Sequence, residues 1–349
     1  MKYVIAIAAL LAAVAAPVQA QPAPGDTFKG KELRILVGYA TGGGYDNYAR
    51  IVAPFLSRHL PGSPTVVVQN MPGGDGLAVA NYMAQLAPRD GTAIALTNRN
   101  LAVAPLLGMI EPGNVRYDPK QFVWLANLNS EVSVLIVRDD AGVKTLDDAR
   151  SRQVVVGATG LTANNAVYPY VANNVLGTRF KVVAGYPGTS HLLLALERRE
   201  IDGIGGLAWS SLQVQRPDWI AGRKVIPIIQ LGLTKVPELA DVPLILDLAK
   251  SDKDRGALEL VFAPEALGRP FFAAPQTPAG AAQQLRGAFA AAVQDEGFKA
   301  AAEKANLDVS FMDGATLDGI VQRLNASSPD VVGLARQVMQ RGKTEVEQR

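Results

Sequence analysis

Three consecutive glycines, Gly42-Gly43-Gly44, stand between an apolar run over residues 33–37 and a segment whose apolar residues Tyr48, Ile51, Val52, Phe55 and Leu56 recur at helical spacing. The chain therefore passes from strand to helix through backbone that carries almost no side chains. A turn of this kind directs unpaired backbone N–H groups, reinforced by the helix dipole, at whatever lies above the sheet edge. Glycine also lets a ligand approach that backbone closely. The geometry suits an anion, although a plain tight βα connection would be written the same way. A dinucleotide fingerprint needs G-x-G-x-x-G and an acid ~20 residues further on. Here the glycines are adjacent, and the second strand, 65–68, ends in Gln69-Asn70. A P-loop is absent too: Gly342-Lys343-Thr344 imitates its end, but Gln337 stands where the first glycine belongs.

The alternation continues. Strand 65–68 leads into a second glycine-rich loop, 70–76, then a helix over 77–87 stopped by Pro88, and a third strand, 93–96, ending at Thr97-Asn98-Arg99-Asn100. Strands joined by helical crossovers make a parallel sheet whose ligands sit beyond the carboxyl ends of the strands. The loops 39–46, 70–76 and 97–100 are those ends. Pro54 falls inside the first helix, where loss of a backbone bond should kink it. The run 132–137 reads as a strand crossing into a second unit, where the pattern restarts. A helix at 144–150 precedes a strand at 154–156, the turn Gly157-Ala158-Thr159-Gly160 and a helix over 163–175. A strand at 181–183, the turn Tyr186-Pro187-Gly188 and a helix from Ser190 follow, then a strand at 225–231 that Pro227 demotes toward an edge. The charged stretch 250–255 reads as a surface connection, and 269–274 as a return strand. Helices at 279–294, 299–305, 317–324 and 331–339 are expected to complete the first unit. The expected division is residues 21–128 with 271–349 as one α/β domain and 129–270 as another.

Residues 1–20 read as a secretory signal: Lys2, an apolar core at 4–16, and small residues in Val18-Gln19-Ala20 before a cleavage site. That core is too short to span a bilayer, which takes ~20 residues. The chain has 349 residues and no Cys, which excludes a lipoprotein or a disulfide framework. A formal net charge of +2 gives no reason to expect nucleic acid or an acidic membrane as partner. The expected location is the periplasm, and the expected state a monomer.

Catalytic signatures are thin. The two histidines, His59 and His191, are distant in sequence, so a zinc site is not expected. No G-x-S-x-G elbow exists. Asp139-Asp140 and Asp147-Asp148 read as solvated or capping acids. No cofactor is expected. What remains is a binding constellation near strand ends: Tyr39, Gly42, Gly43, Gly44, Asp46, Asn98 and Arg99 in the first unit, with Gly157, Thr159, Gly160, Tyr186, Trp209 and Ser210 in the second. Arg99 can grip a carboxylate through two parallel bonds or stand as a surface arginine. Tyr186 can line a cleft or pack a turn, and Trp209 can wall a site or sit in a core. Glu131, between the units, lines the hinge or is solvated. Asp46, in the first turn of its helix, is expected to cap it or to accept a bond from a ligand.

At these residues the chain resembles the Bug family of periplasmic solute-binding proteins, receptors of tripartite tricarboxylate transporters. The resemblance rests on Gly42-Gly43-Gly44-Tyr45-Asp46 with Ala49-Arg50, on Val66-Val67-Val68-Gln69-Asn70-Met71-Pro72-Gly73-Gly74, and on Ala87-Pro88-Arg89-Asp90-Gly91-Thr92. Gly185-Tyr186-Pro187-Gly188, Glu200-Ile201-Asp202 and Ala274-Pro275-Gln276-Thr277-Pro278 continue it through the second half. It implies an α/β, two-domain periplasmic-binding-protein fold of the Venus flytrap, type II-like kind, with two crossing strands. It also implies a small organic acid held by the loops 39–46 and 157–160 and delivered to inner-membrane transporter subunits or a sensor. Three departures bear on ligand identity: the second-domain loop has no histidine, Gly185-Tyr186-Pro187-Gly188 has no lysine, and Asn98-Arg99 replaces small residues. The rival class is a periplasmic enzyme on the same scaffold, acting on a carboxylate ester or phosphate; no nucleophile–base pair supports it.

Overall fold

The computed structural model describes residues 27–161 and 163–340; the expected signal at 1–20 lies outside them. The first half runs β1 (Glu32–Val37), α1 (Gly44–His59), β2 (Thr65–Asn70), α2 (Leu77–Gln85), β3 (Ala93–Leu96), α3 (Ala104–Leu107), β4 (Val123–Asn127) and β5 (Ser133–Arg138). It continues through α4 (Leu146–Ser151), β6 (Val154–Ala158), α5 (Asn164–Leu176), β7 (Phe180–Ala184), α6 (Thr189–Glu197), β8 (Gly203–Ala208), α7 (Trp209–Gln215) and α8 (Pro217–Ala221). The remainder is β9 (Val225–Leu231), α9 (Asp252–Phe262), β10 (Pro270–Ala273), α10 (Ala279–Gln294), α11 (Glu296–Lys304), β11 (Met312–Asp313), α12 (Gly314–Asn325) and α13 (Pro329–Met339).

Two sheets result. The first has the order β11-β4-β10-β3-β1-β2 and the second β7-β6-β8-β5-β9. In the first, β1 pairs in parallel with both β2 and β3, as the helical crossovers require, and β10 returns antiparallel between β3 and β4. Helices α1, α10 and α11 bury one face of this sheet, with Leu33, Ile35, Phe271 and Phe289 at the centre. Helices α2 and α12 cover the other, around Leu36, Trp124 and Phe272. Helix α1 runs unbroken through Pro54, whose side chain is exposed.

The second sheet contains a strand that the sequence reading passed over. In β8, glycines at 203, 205 and 206 remove the β-branched signal that usually marks a strand. Packing explains them: a Cβ on Gly205 would stand 2.1 Å from Pro169 Cγ of α5, and one on Gly203 2.4 Å from Ile136 O of β5. Strand β9 lies at the edge, as Pro227 predicts. The stretch 250–255 lies at the surface but is the start of α9 and not a connection. Ser251 caps α9 by accepting from the Asp254 amide, and Asp252 and Asp254 place negative charge in its first turn.

The chain crosses between the sheets after β4 and again before β10. The crossings are tied to each other: the Leu128 amide donates to Arg269 O at 3.2 Å, and the Glu131 amide to Glu265 O at 2.8 Å. Helix α13 departs from the expected division, because its Val332 and Ala335 enter the core formed by α5, α9 and the second sheet. The C-terminal segment thus crosses a third time.

Candidate functional site

The turn after β1 is held open by one carboxylate. Asp46, 1% exposed, accepts from the Gly42 amide at 2.8 Å, from Arg50 Nε at 2.8 Å and from Asn70 Nδ2 at 2.9 Å. Burial works against its charge, but Arg50, the Gly42 amide and Asn70 outweigh it and hold the carboxyl below its ordinary range. Asp46 is therefore committed to the loop. Gly43, the N-cap of α1, has no side chain to offer, and among the described residues no other side chain accepts from the first-turn amides. A Cβ added at Gly42 would meet nothing within 4 Å, and one at Gly43 only Ala40 O at 3.8 Å. At Gly42 φ is +84°, which by itself favours glycine. The loop is open above Gly42 and Gly43.

Around it, Tyr39 stacks on Tyr45 with ring centroids 4.8 Å apart. Tyr39 Oη donates to Asp75 Oδ1 at 2.9 Å and Asn98 Nδ2 to Asp75 Oδ2 at 2.6 Å. Burial pushes the Asp75 carboxyl up, against the pull of these two donors. The loops 39–46, 70–76 and 97–100, expected at one edge of the sheet, do meet there.

Arg99 is neither a surface residue nor a free clamp. It is 5% exposed, and its Nη2 donates to Glu265 Oε1 at 2.5 Å and Ser133 Oγ at 3.2 Å. Glu265, fully buried, also accepts from Tyr168 Oη at 2.5 Å, Asn164 Nδ2 at 2.9 Å and Ser133 Oγ at 3.1 Å. The sequence could not show this partner, 166 positions away. The network joins the end of β3 to β5, to α5 and to the second crossing. Asn100 Nδ2 adds a bond to Asn164 Oδ1, so the start of α5 touches the strand ends of the first sheet.

In the second unit, Thr159 is tethered through its amide and hydroxyl to Asn165 Oδ1, at 3.0 and 3.4 Å. Gly160 has open space where a Cβ would be. Gly157 differs: a Cβ there would strike Ile201 and Leu192 at 2.6 and 2.8 Å, so packing demands it. Tyr186 lies half-buried beside Gly157, its amide donating to Ala158 O at 3.2 Å. Trp209 is buried in the apolar cluster of α6, α7 and α8, with its indole N–H unpartnered. Ser210 Oγ donates to Glu131 Oε2 at 2.6 Å, which brings those two expected residues together.

Arg269, in sequence only the start of a return strand, also belongs to this region. Its guanidinium lies 4.8 and 4.9 Å from the ring centroids of Tyr45 and Tyr48. Glu131 Oε2 is 3.9 Å from its Nη2. The available signal was a charged side chain abutting the apolar run Pro270-Phe271-Phe272-Ala273 at a domain crossing. Cavities of about 520 and 710 Å³ lie elsewhere, flanking α13, and none of Tyr39, Glu131 or Arg269 lines them.

Among curated proteins, the UPF0065 protein in the gbd 5' region of Cupriavidus necator is 32% identical over 146 residues, 42% of this chain and 41% of the relative. A UPF0065 protein of Bordetella pertussis is 26% identical over 198 residues, 59% of its length. One from Agrobacterium vitis is 27% identical over 296 residues, covering 83% of this chain and 78% of that protein. Among solved structures, the periplasmic binding protein BugD superposes with a TM-score of 0.68 at 19% identity, over 89% of this chain and 98% of its own. MatC of Rhodopseudomonas palustris, solved with bound malate, gives 0.66 at 18% identity, over 90% and 100% of the two chains. A second R. palustris protein, with adipate, gives 0.65 at 18% identity, over 88% and 97%. The fold is thus the two-domain α/β fold of periplasmic binding proteins. The tripartite tricarboxylate transporter receptor family matches residues 48–332, and the chain belongs to it.

Proposed function

We propose that this protein is an exported receptor that captures a small organic carboxylate between its two domains and hands it to membrane subunits of a transporter. The observation that carries the reading is the open glycine turn before α1, whose first-turn amides have no side-chain acceptor among the described residues because Asp46 is spent on the loop. A helix start of this kind favours negative charge. The malate and adipate of the R. palustris relatives fit the same chemistry. Gly160, Thr159 and the start of α5 supply the facing wall, and Tyr39, Asn98, Glu131, Ser210 and Tyr186 its polar rim. The protein acts as a monomer and binds its ligand without altering it.

The test is calorimetry and thermal unfolding with malate, adipate and succinate on protein recovered from osmotic-shock fluid. The expected result is saturable binding, a raised melting temperature, ligand recovered unchanged by mass spectrometry, and a chain beginning at Gln21. Consumption of the acid would make the protein an enzyme, and an intact amino terminus in the membrane fraction would refute export in soluble form.

A further inference from the structure

Arg269 precedes β10 at the second crossing, with its guanidinium 4.8 and 4.9 Å from the ring centroids of Tyr45 and Tyr48. Nη1 donates to Gly268 O at 2.7 Å. The opposite edge, Nε with Nη2, is one that can grip a carboxylate through two parallel bonds. Nε is buried without a hydrogen-bond partner. The acidic oxygen paired with Nη2, Glu131 Oε2, is 3.9 Å away, beyond hydrogen-bonding reach. With Arg269 only 4% exposed, water does little to satisfy that edge.

The same edge abuts the start of α1. A Cβ on Gly44 would stand 3.0 Å from Arg269 Nη2, and Gly44 is the first residue of a 16-residue helix. A guanidinium and a helix N-terminus both carry positive potential, so their contact is unfavourable until an anion bonds to both. Among the described residues none fills that role. Asp46 is bound to Gly42, Arg50 and Asn70, and Glu131 is held by the hydroxyl of Ser210.

Resting on the carboxylate-receptor reading above, we infer that Arg269 is the charge partner of the ligand. One carboxylate lies across its Nε–Nη2 edge and the first-turn amides of α1, the role that the sequence alone offered to Arg99. The site thereby selects acids over their primary amides. An amide has the same shape, but it lacks the charge and presents an NH₂ donor to a site made of donors.

The experiment is calorimetry with succinate, malate, adipate and their diamides on wild type, Arg269→Gln, Arg269→Lys and Gly44→Ala. Wild type is expected to prefer one acid over its amide by at least about a hundredfold, and Arg269→Gln to reduce that ratio by about tenfold to hundredfold. Arg269→Lys, which keeps the charge and loses the fork, falls between. Gly44→Ala adds one methyl against Nη2 at a position where alanine suits the helix, so acid binding weakens while the melting temperature holds. A folded Arg269→Gln that keeps the wild-type acid-to-amide ratio overturns the role of Arg269 and leaves the receptor reading intact. A wild type that binds no acid, or prefers the amides, overturns the carboxylate reading and this inference together. If Arg269 variants do not fold, Gly44→Ala decides: unchanged acid affinity refutes the site.

Discussion

Arg99 and Arg269 are both buried arginines with an unpartnered Nε, and their surroundings separate them. Arg99 faces a protein carboxylate that already accepts from three other side chains, while Arg269 has one edge turned to a bare helix start. Removing one member of a buried pair leaves the other charge uncompensated. Arg99→Ala should therefore cost about 3–5 kcal/mol of stability, read from the urea midpoint, with acid binding by the surviving folded protein little changed. Glu265→Ala on top of Arg99→Ala should cost far less than the two single changes together. A stable Arg99→Ala that has lost acid binding would return Arg99 to the ligand and remove it from the frame of the cleft.

Among the elements, β8 and α5 depend on each other more than on their own propensities. Proline inside a helix and glycines inside a strand both cost stability locally. Here Pro169 of α5 lies against Gly205 of β8, and no side chain fits between them. Gly205→Ala should destabilise by roughly 1–3 kcal/mol, the range for overpacking, although alanine is the better residue for a strand by entropy alone. Thermal unfolding checks it; a variant as stable as wild type would mean that α5 retreats freely. The consequence reaches the site, since α5 carries Asn164 and Tyr168 to Glu265 and Asn165 to Thr159.

For the whole molecule, closure turns on the crossings. Two of them are hydrogen-bonded side by side through Leu128, Glu131, Glu265 and Arg269. Glu131 and Arg269 thus sit where the hinge and the proposed carboxylate meet, so an anion on Arg269 acts at the hinge itself. A ligand that contacts both domains should shift the population toward a compact form. Solution scattering with saturating acid should show a smaller radius of gyration, and less of a decrease for Arg269→Gln at the same acid concentration. An unchanged radius in wild type would mean that binding and closure are uncoupled. The third crossing, to α13, adds a further connection between the domains.

Local order along the chain determined the alternation of strands and helices, the glycine turn before α1 and the edge position of β9. Each is decided by residues within a few positions or by a backbone conformation that only glycine or proline dictates. The strand ends beyond which a ligand sits follow from the same alternation, because parallel strands place those loops together. What only the tertiary structure decided depends on partners far apart in sequence. Glu265 takes Arg99 out of the site, Pro169 makes a strand of Gly203-Ile204-Gly205-Gly206, α9 claims a charged stretch that read as a connection, and α13 joins the second core. Arg269 reads as the polar start of an apolar strand until folding sets it beside two tyrosines and against Gly44. Charge is visible in a sequence, but whether a charge is already paired is a property of space.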